Sequence, residues 1–554
     1  MLPGFLVRYP VEGRGVVSSA HPLASKAGLE ILAAGGNAVD AAVAVSSVLC
    51  VAEPYHSTIG GGGFAVLHVN GETTALDFRG AAPRGAHRNM FAPDGKVDIR
   101  ASTEGHRSVL IPSLVDGLAR MHSRYGTMDW GRLWESAIGL ASQGVLMGSI
   151  YQEITRQSIV GGRPLRFPET ARIFLDNGQP YPRHKPLVQE DLAASLRAIQ
   201  GEGPEVFYRG WIAERITREM AKNGGLLGEN DLAEYESRFT EPVRGTYRGL
   251  DVLAPTLPCG GGVQIIQMLN ILEQFDLAAL GQGSAASLSL MLKALQAGFR
   301  ERVEFLGDPR YTSIPIDRLL TKEYARQMSL DWDSGPSHSG AKGGTTHFVV
   351  ADEGGNVVSW TQTIGEWYGS GVTVPGTGIL LNDTMGDFAA LPGTPNSHGY
   401  IYSEANGIAA GKSPLSSQAP TIVLEGGRPR MAIGAAGGPR IISAVLQGLL
   451  GVFDHRLDVQ EALACPRVHC HGGPAVAERG ISLDTIDRLR EMGIKIDYIP
   501  EGKIASWAHA LTIDEQGLIQ GAADPRLEGS AMALLAASKG RMFIATPHGT
   551  WETV

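Results

Sequence analysis

The residues Gly343 to Thr363, GGTTHFVVADEGGNVVSWTQT, constrain this chain more than any other stretch. Phe348, Val349 and Val350 read as a strand, Asp352 to Asn356 as a turn, and Val357 to Thr363 as the returning strand. A hairpin centred on Gly354 pairs Asp352 with Asn356 and, continued outward, Thr345 with Thr363. Directly opposed residues have Cβ atoms about 4.5–5.5 Å apart, so one threonine hydroxyl can bond the other. Upstream, Asp331 to Gly344 (DWDSGPSHSGAKGG) has no apolar periodicity and reads as a mobile linker.

A flexible segment that runs into a strand beginning with threonine suits a chain that cuts itself. The Thr345 hydroxyl would attack the Gly344 carbonyl, the acyl group would shift to oxygen, and water would hydrolyse the ester. The product is an N-terminal threonine whose α-amine, with a pKa of about 7.7–8.0, can act as base for its own hydroxyl. The alternative is an ordinary threonine-rich edge strand after a loop.

The rest of the composition narrows the partners. With 554 residues, 43% hydrophobic content, 19% charged content and a formal net charge of −9, the chain has no electrostatic footprint for nucleic acid or an anionic membrane, and neither is expected. The first residues, MLPGFLVRYPVEGRG, lack a basic region followed by an apolar run, so the cytoplasm is the expected compartment. Cys50, Cys259, Cys465 and Cys470 are too few for a disulfide scaffold and have no zinc-finger spacing. No metal cluster or dinucleotide fingerprint stands out, and no cofactor is expected.

Along the chain, Leu23 to Ala34 and Val39 to Val51 read as helices separated by a Gly35-Gly36-Asn37 break. Ser57 to Phe64, STIGGGGF, feeds an alternating strand, an Asn70-Gly71 turn and a return strand to Arg79. Counting back from the turn sets Arg79 opposite Gly62, where the guanidinium has room for a carboxylate; a salt-bridged surface arginine and a tightly packed glycine strand are the alternatives. A phosphate-binding loop does not fit, because the glycine run has no following Lys-Ser/Thr and enters a strand. Ser113 to Thr321 reads as mostly helical, and Thr345 to Gly438 as strand-rich with a loop from Asp387 to Ser417. Cys259 before Gly260-Gly261-Gly262 reads as a packed thiol rather than a reactive one, and His347 as a histidine satisfied within a sheet. This order predicts two β-sheets stacked face to face between helical layers.

These residues carry a family likeness. AGGNAVDAAVA (34–44), GGGGF, TALDFR, TTH, PGTGILLND, KSPLSSQAPTIV, GAAGGPR and GAADPR (521–526), in this order, resemble the γ-glutamyltransferases (glutathione hydrolases) and their amidohydrolase relatives over nearly the whole chain. The resemblance implies an α+β fold, the four-layer αββα sandwich of N-terminal-nucleophile hydrolases. It also implies one intertwined unit cut into a large subunit, 1–344, and a small subunit, 345–554. Thr345 is then the nucleophile released by cleavage after Gly344, and Thr363 the second threonine bonded to it. Gly437 and Gly438 match the oxyanion-hole pair; one such donor is typically worth ~10²–10³ in rate. Arg79, Ser416 and Ser417 match the residues that hold the α-carboxylate of a glutamyl donor, and Asp387 the carboxylate that takes its α-ammonium. Pro392 to Tyr400 has the length of the family's lid, with His398 in place of its tyrosine.

Two departures bear on substrate. Ile364-Gly365 replaces the family's Leu-Asn after Thr363, and Thr384 stands where a longer glutamine-type side chain is usual. The amine pocket is thereby reduced to Asp387. The reading that results is an autoprocessing amidohydrolase acting on small amides whose acyl group carries a carboxylate, with hydrolysis ranked above transpeptidation. A γ-glutamyltransferase or glutathione hydrolase is the first alternative. A glutaryl-cephalosporin-acylase-like enzyme, a biosynthetic enzyme acting on an unusual bond, and a non-catalytic binding protein are the others.

Overall fold

The computed structural model describes residues 9–328, 330, 343–500, 504, 506–535, 542–546 and 549–553. Of the stretch read as a linker, only Gly343 and Gly344 fall among them. The elements that position the site are, in chain order, strands β1 (Val11–Gly13) and β2 (Gly15–Ser19), helices α1 (Pro22–Ala33) and α2 (Ala38–Ala52), then β3 (Gly62–Val69), β4 (Glu72–Phe78), β5 (Arg238–Thr240), β6 (Val243–Tyr247) and β7 (Leu250–Ala254). Helices α3 (Gly260–Leu272) and α4 (Ala285–Phe305) follow, then β8 (Gly343–Ala351), β9 (Val357–Glu366), β10 (Thr421–Glu425), β11 (Arg428–Ala436) and helix α5 (Arg440–Phe453). The chain closes on β12 (Trp507–Ile513), β13 (Ile519–Ala523), β14 (Ser530–Leu534), β15 (Met542–Thr546) and β16 (Gly549–Thr553).

Among the described residues these strands form a seven-stranded sheet, β1-β13-β12-β11-β10-β7-β6, and a nine-stranded sheet, β16-β15-β14-β2-β8-β9-β3-β4-β5. The period-2 alternation of strand side chains sorts the core into layers. Val349, Ala351 and Val357 meet Ala432, Leu424 and Leu511 between the sheets. Phe348, Val350, Val358 and Trp360 point the other way, into the cluster that includes α1 and α2. Helices α3, α4 and α5 cover the outer face of the seven-stranded sheet. The sandwich is therefore αββα, and both sheets draw strands from before and after Thr345.

Local chemistry fixes the ends of these elements. Asn37 and Asp40 form a reciprocal capping box that starts α2, all fifteen residues of which are buried. The Asn70-Gly71 turn has both residues at positive φ (54° and 80°), the geometry that a two-residue hairpin needs. The sequence reading of 113–321 as mostly helical misses β5, β6 and β7. The second hairpin there turns on Arg248-Gly249, again with both φ positive (51° and 83°). Arginine at the first position carries none of the turn signal that asparagine does.

None of the described helices is long and apolar enough to cross a membrane.

Candidate active site

The hairpin register is the one counted from sequence: Ala351 pairs with Val357, His347 with Thr361 and Thr345 with Thr363. Beyond that pair it breaks. Gly344 pairs with Gly365, so Ile364 is an extra residue and the bulge falls at the Gly344–Thr345 bond. The two hydroxyls lie 3.0 Å apart, and Thr363 Oγ1 donates to the Gly344 carbonyl at 2.5 Å. A hydroxyl has one proton, so Thr345 must be the donor between the two threonines. The Gly365 N–H, 2.9 Å from Thr363 Oγ1, completes the orientation. A directed chain runs from the Thr345 hydroxyl through Thr363 to the carbonyl of the preceding residue.

The bulge is held from below. Asp383 accepts the Glu366 N–H at 2.9 Å, and Arg163 pairs with both Asp383 (2.9 Å) and Glu366 (2.8 Å). Burial, opposed by Arg163 and reinforced by the charge of Glu366, pushes the Asp383 carboxyl up to about 7. On the facing sheet, Gly437 and Gly438 link β11 to α5, with φ of 124° and 60°. Side chains rarely adopt this conformation. A Cβ built on Gly343 would lie 2.7 Å from the Gly438 nitrogen, so the segment just before Thr345 rests against the start of α5. Helix N-termini favour negative charge.

The opposite wall carries the charges. Arg79 follows β4, and Gly62 sits so tightly against Phe78 and Arg79 that a Cβ there would meet their carbonyl oxygens at 2.5 and 2.9 Å. The Arg79 guanidinium pairs with one oxygen of Asp387, and His398 Nε2 donates to the other at 2.7 Å. Burial alone would raise the Asp387 carboxyl, but Arg79 and His398 hold it below the usual range. Burial would lower the His398 imidazole, yet Asp387, with Glu366 and Asp383 behind it, holds it above its ordinary value. Arg302, from α4, donates to Tyr402 Oη (3.0 Å), Gln264 Oε1 (2.9 Å) and the Ser416 carbonyl (3.2 Å). The Gly260 N–H reaches the same carbonyl at 2.9 Å and so fixes the backbone at Ser416.

Arg79, Thr345, Thr363, Asp387, Ser416, Ser417 and Gly438 line one cavity, together with Arg302, His398 and Gln418. Gly343 lines it too, and the space left is about 40 Å³. Ligand sites usually offer roughly 300–1,000 Å³. Gly343 thus takes up part of the space beside Thr345. Gly437 is adjacent in sequence but is not on the cavity wall. Three polar groups on that wall, Arg79 Nε, His398 Nδ1 and the Gln418 amide, are buried with no hydrogen-bond partner among the described residues. On a cavity wall such atoms are open to a water or a ligand.

Of the other residues singled out from sequence, His347, Cys259 and Thr384 fall outside this constellation, while Gly365 lines it. The His347 ring bonds Thr361 Oγ1 at 2.9 Å and is packed against Gly434. Burial drives its pKa well down. The Cys259 thiol donates to the Gln418 carbonyl at 2.9 Å, and burial pushes it up to about 12, so it is a packed thiol. The Thr384 hydroxyl is taken by Asn382 at 2.8 Å. Gly365 has φ 97°, and a Cβ there would lie 1.8 Å from Asp383 Oδ1. The loss of asparagine at 365 is thus built into the backbone path, and restoring it would displace Asp383. Arg302 and Arg163 carry no motif of their own and were not picked out from sequence; Asp383 closes the PGTGILLND stretch but was given no role there.

An αββα sandwich with paired threonine hydroxyls at the end of a central strand is the architecture of the N-terminal-nucleophile hydrolases. The family model for gamma-glutamyltranspeptidase matches residues 24–534. The chain is 38% identical over 537 residues to the glutathione hydrolase proenzyme of Escherichia coli strain K12, covering 94% of this chain and 92% of that one. It is 36% identical to the acylase ACY 1 proenzyme of Pseudomonas sp. strain SE83, covering 95% and 94%. Among solved structures it resembles a cephalosporin acylase from Bacillus halodurans, with a TM-score of 0.85 at 26% identity over 95% of this chain and 97% of that one. The protein belongs to the gamma-glutamyltranspeptidase family and is an enzyme of its hydrolase and acyltransferase type.

Proposed function

We propose that the protein cuts itself between Gly344 and Thr345, leaving 1–344 and 345–554 as interwoven subunits, and then hydrolyses small amides of glutaryl type. Such an acyl group carries a carboxylate but no neighbouring amine. In the first reaction the Thr345 oxygen bonds to the Gly344 carbonyl carbon, the peptide C–N bond breaks, and the hydroxyl proton passes to the departing nitrogen. Water then hydrolyses the ester to a Gly344 carboxylate and a free Thr345 hydroxyl. The directed chain Thr345–Thr363–Gly344 supports this step, since it aligns the nucleophile and polarises the carbonyl that it attacks. In turnover the same hydroxyl attacks the substrate amide, with the α-amine as base and the Gly437-Gly438 segment as the oxyanion donor.

The observation that carries the substrate reading is the charge on the cavity wall. Two guanidiniums and an imidazole face one carboxylate, Asp387, and both of its oxygens already have partners. A site of net positive charge favours an acyl group of charge −1 over a zwitterionic glutamyl group of charge zero. The names of the ACY 1 and cephalosporin acylase relatives agree with an acylase reading. The glutathione hydrolase names of others favour the second reading, a γ-glutamyl hydrolase or transferase.

Intact mass spectrometry of the purified protein tests the cut: two chains are expected, and a folded chain that stays whole through long incubation at neutral pH refutes it. The ratio of kcat/KM for glutaryl and γ-glutamyl anilides tests the substrate. A preference for the γ-glutamyl compound of about tenfold or more, some 1.4 kcal/mol, would put glutathione hydrolase first.

A further inference from the structure

We propose that His398 is the residue that excludes an amino group from this site, by occupying the carboxylate on which a substrate ammonium would have to be neutralised. The inference rests on the glutaryl-type reading and supplies its cause. Among the described residues on the cavity wall, Asp387 is the only acid. Its Oδ2 belongs to Arg79 and its Oδ1 to His398 Nε2, at 2.7 Å. A carboxylate accepts only, so Nε2 carries the proton of that bond. An incoming ammonium finds no anionic oxygen on that wall without a cationic partner already on it. It must share Asp387 with two cations, displace the imidazole, or stay buried beside two guanidiniums without a counter-charge.

His398 is well suited to hold its place. It sits in the loop between Asp387 and Ser416, where Asn396 Oδ1 accepts both the His398 and the Tyr400 backbone N–H at 3.0 Å and curls the chain back on itself. Asn396 Nδ2 in turn donates to the Asp387 carbonyl at 3.3 Å, so imidazole and carboxylate are tied through one short loop. The side chain is 13% exposed. Its second ring nitrogen, Nδ1, and Arg79 Nε are both buried without a partner among the described residues. In the imidazolium state these are two unfilled donors on either side of Asp387, which a carboxylate can satisfy and an ammonium cannot.

The test compares kcat/KM for γ-glutamyl and glutaryl anilides in the parent and in two self-cleaved variants. His398→Ala frees Asp387 Oδ1 and should raise the γ-glutamyl to glutaryl ratio by roughly ten- to a hundredfold, the scale of one restored charge-assisted hydrogen bond. His398→Lys keeps a cation on Asp387 and should hold the ratio near the parent value. Inhibition by free L-glutamate and glutarate gives a second measurement, and His398→Asn serves if the alanine variant does not fold. The alanine variant should gain affinity for glutamate relative to glutarate. A ratio that stays put or falls in the open variants overturns the role of His398, whatever the parent prefers. A parent that prefers γ-glutamyl amides, but whose ratio still climbs on opening, overturns the substrate reading and leaves the role of His398 standing.

Discussion

The two walls of the site are made of different material. The nucleophile wall is neutral and local: Thr345, Thr363 and Gly365 lie on one hairpin and are joined by hydroxyl and backbone hydrogen bonds. The acyl wall is charged and assembled from distant segments, with Arg79 after β4, Arg302 on α4, and Asp387, His398 and Ser416 from the long loop before β10. Chemistry placed on a paired strand is held by the sheet and tolerates little change. Recognition placed on ion pairs across loops can be retuned by one side chain while the reaction stays the same.

Thr345→Ala should break the nucleophile wall outright: no cut chains by mass spectrometry and no amidase activity, whereas Thr345→Ser should still cut, more slowly. Arg79→Ala should break only the acyl wall. Self-cleavage persists, and kcat/KM for carboxylated amides falls by about 10²-fold or more, the order expected when a buried charged partner is removed. Arg79→Lys should recover only part of this, because the planar fork is lost. If Arg79→Ala lost cleavage as well, the two walls would not be separable.

Acid should sharpen the contrast, because the walls respond with opposite sign. Beneath the hydroxyl pair lie buried neutral histidines, and burial takes His509 down to about 4 from its ordinary 6.5. A histidine lowered in this way contributes stability that is complete above about pH 6.5 and lost as pH falls toward 4. By pH 5 the loss from His509 alone is about 2 kcal/mol, readable by urea unfolding at pH 7 and pH 5, and His509→Gln should flatten the slope. His398, raised by Asp387, contributes most below pH 6.5 and loses its contribution as pH rises through its folded value. Gly365→Asn probes the seam between the walls. With φ at 97° and Asp383 in the way, it should cost about 1–2 kcal/mol and bring no gain on γ-glutamyl anilides. A gain there would show that the backbone after Thr363 can be remade.

The same division governs what could be read from residues alone. The pairing of Thr345 with Thr363 follows from counting along one hairpin, because strand register is arithmetic once the turn is known. Arg79 opposite Gly62 follows from the Asn70-Gly71 turn in the same way. The Arg248-Gly249 hairpin was missed because its positive φ is enforced by the sheet and carries no signal in the arginine. The occupation of Asp387 by His398 was not legible, since it depends on how the 387–416 loop folds across a gap that no periodicity describes. The bulge at Gly344 was equally hidden: register counting assumes one residue per step, and Ile364 breaks that assumption at the Gly344–Thr345 bond.

The interleaving of strands has a consequence for the life of the molecule after the proposed cut. Each sheet takes strands from both sides of residue 345, so losing one peptide bond removes no pairing that the sandwich depends on. What changes is the reaction order of refolding. The intact chain collapses as a single molecule at a rate independent of dilution; two severed pieces must first find each other, with edges of both sheets exposed meanwhile. Self-processing thus converts a protein that can be rebuilt from its unfolded state into one that persists only as long as it does not unfold. Its durability becomes a matter of barrier height and no longer of equilibrium.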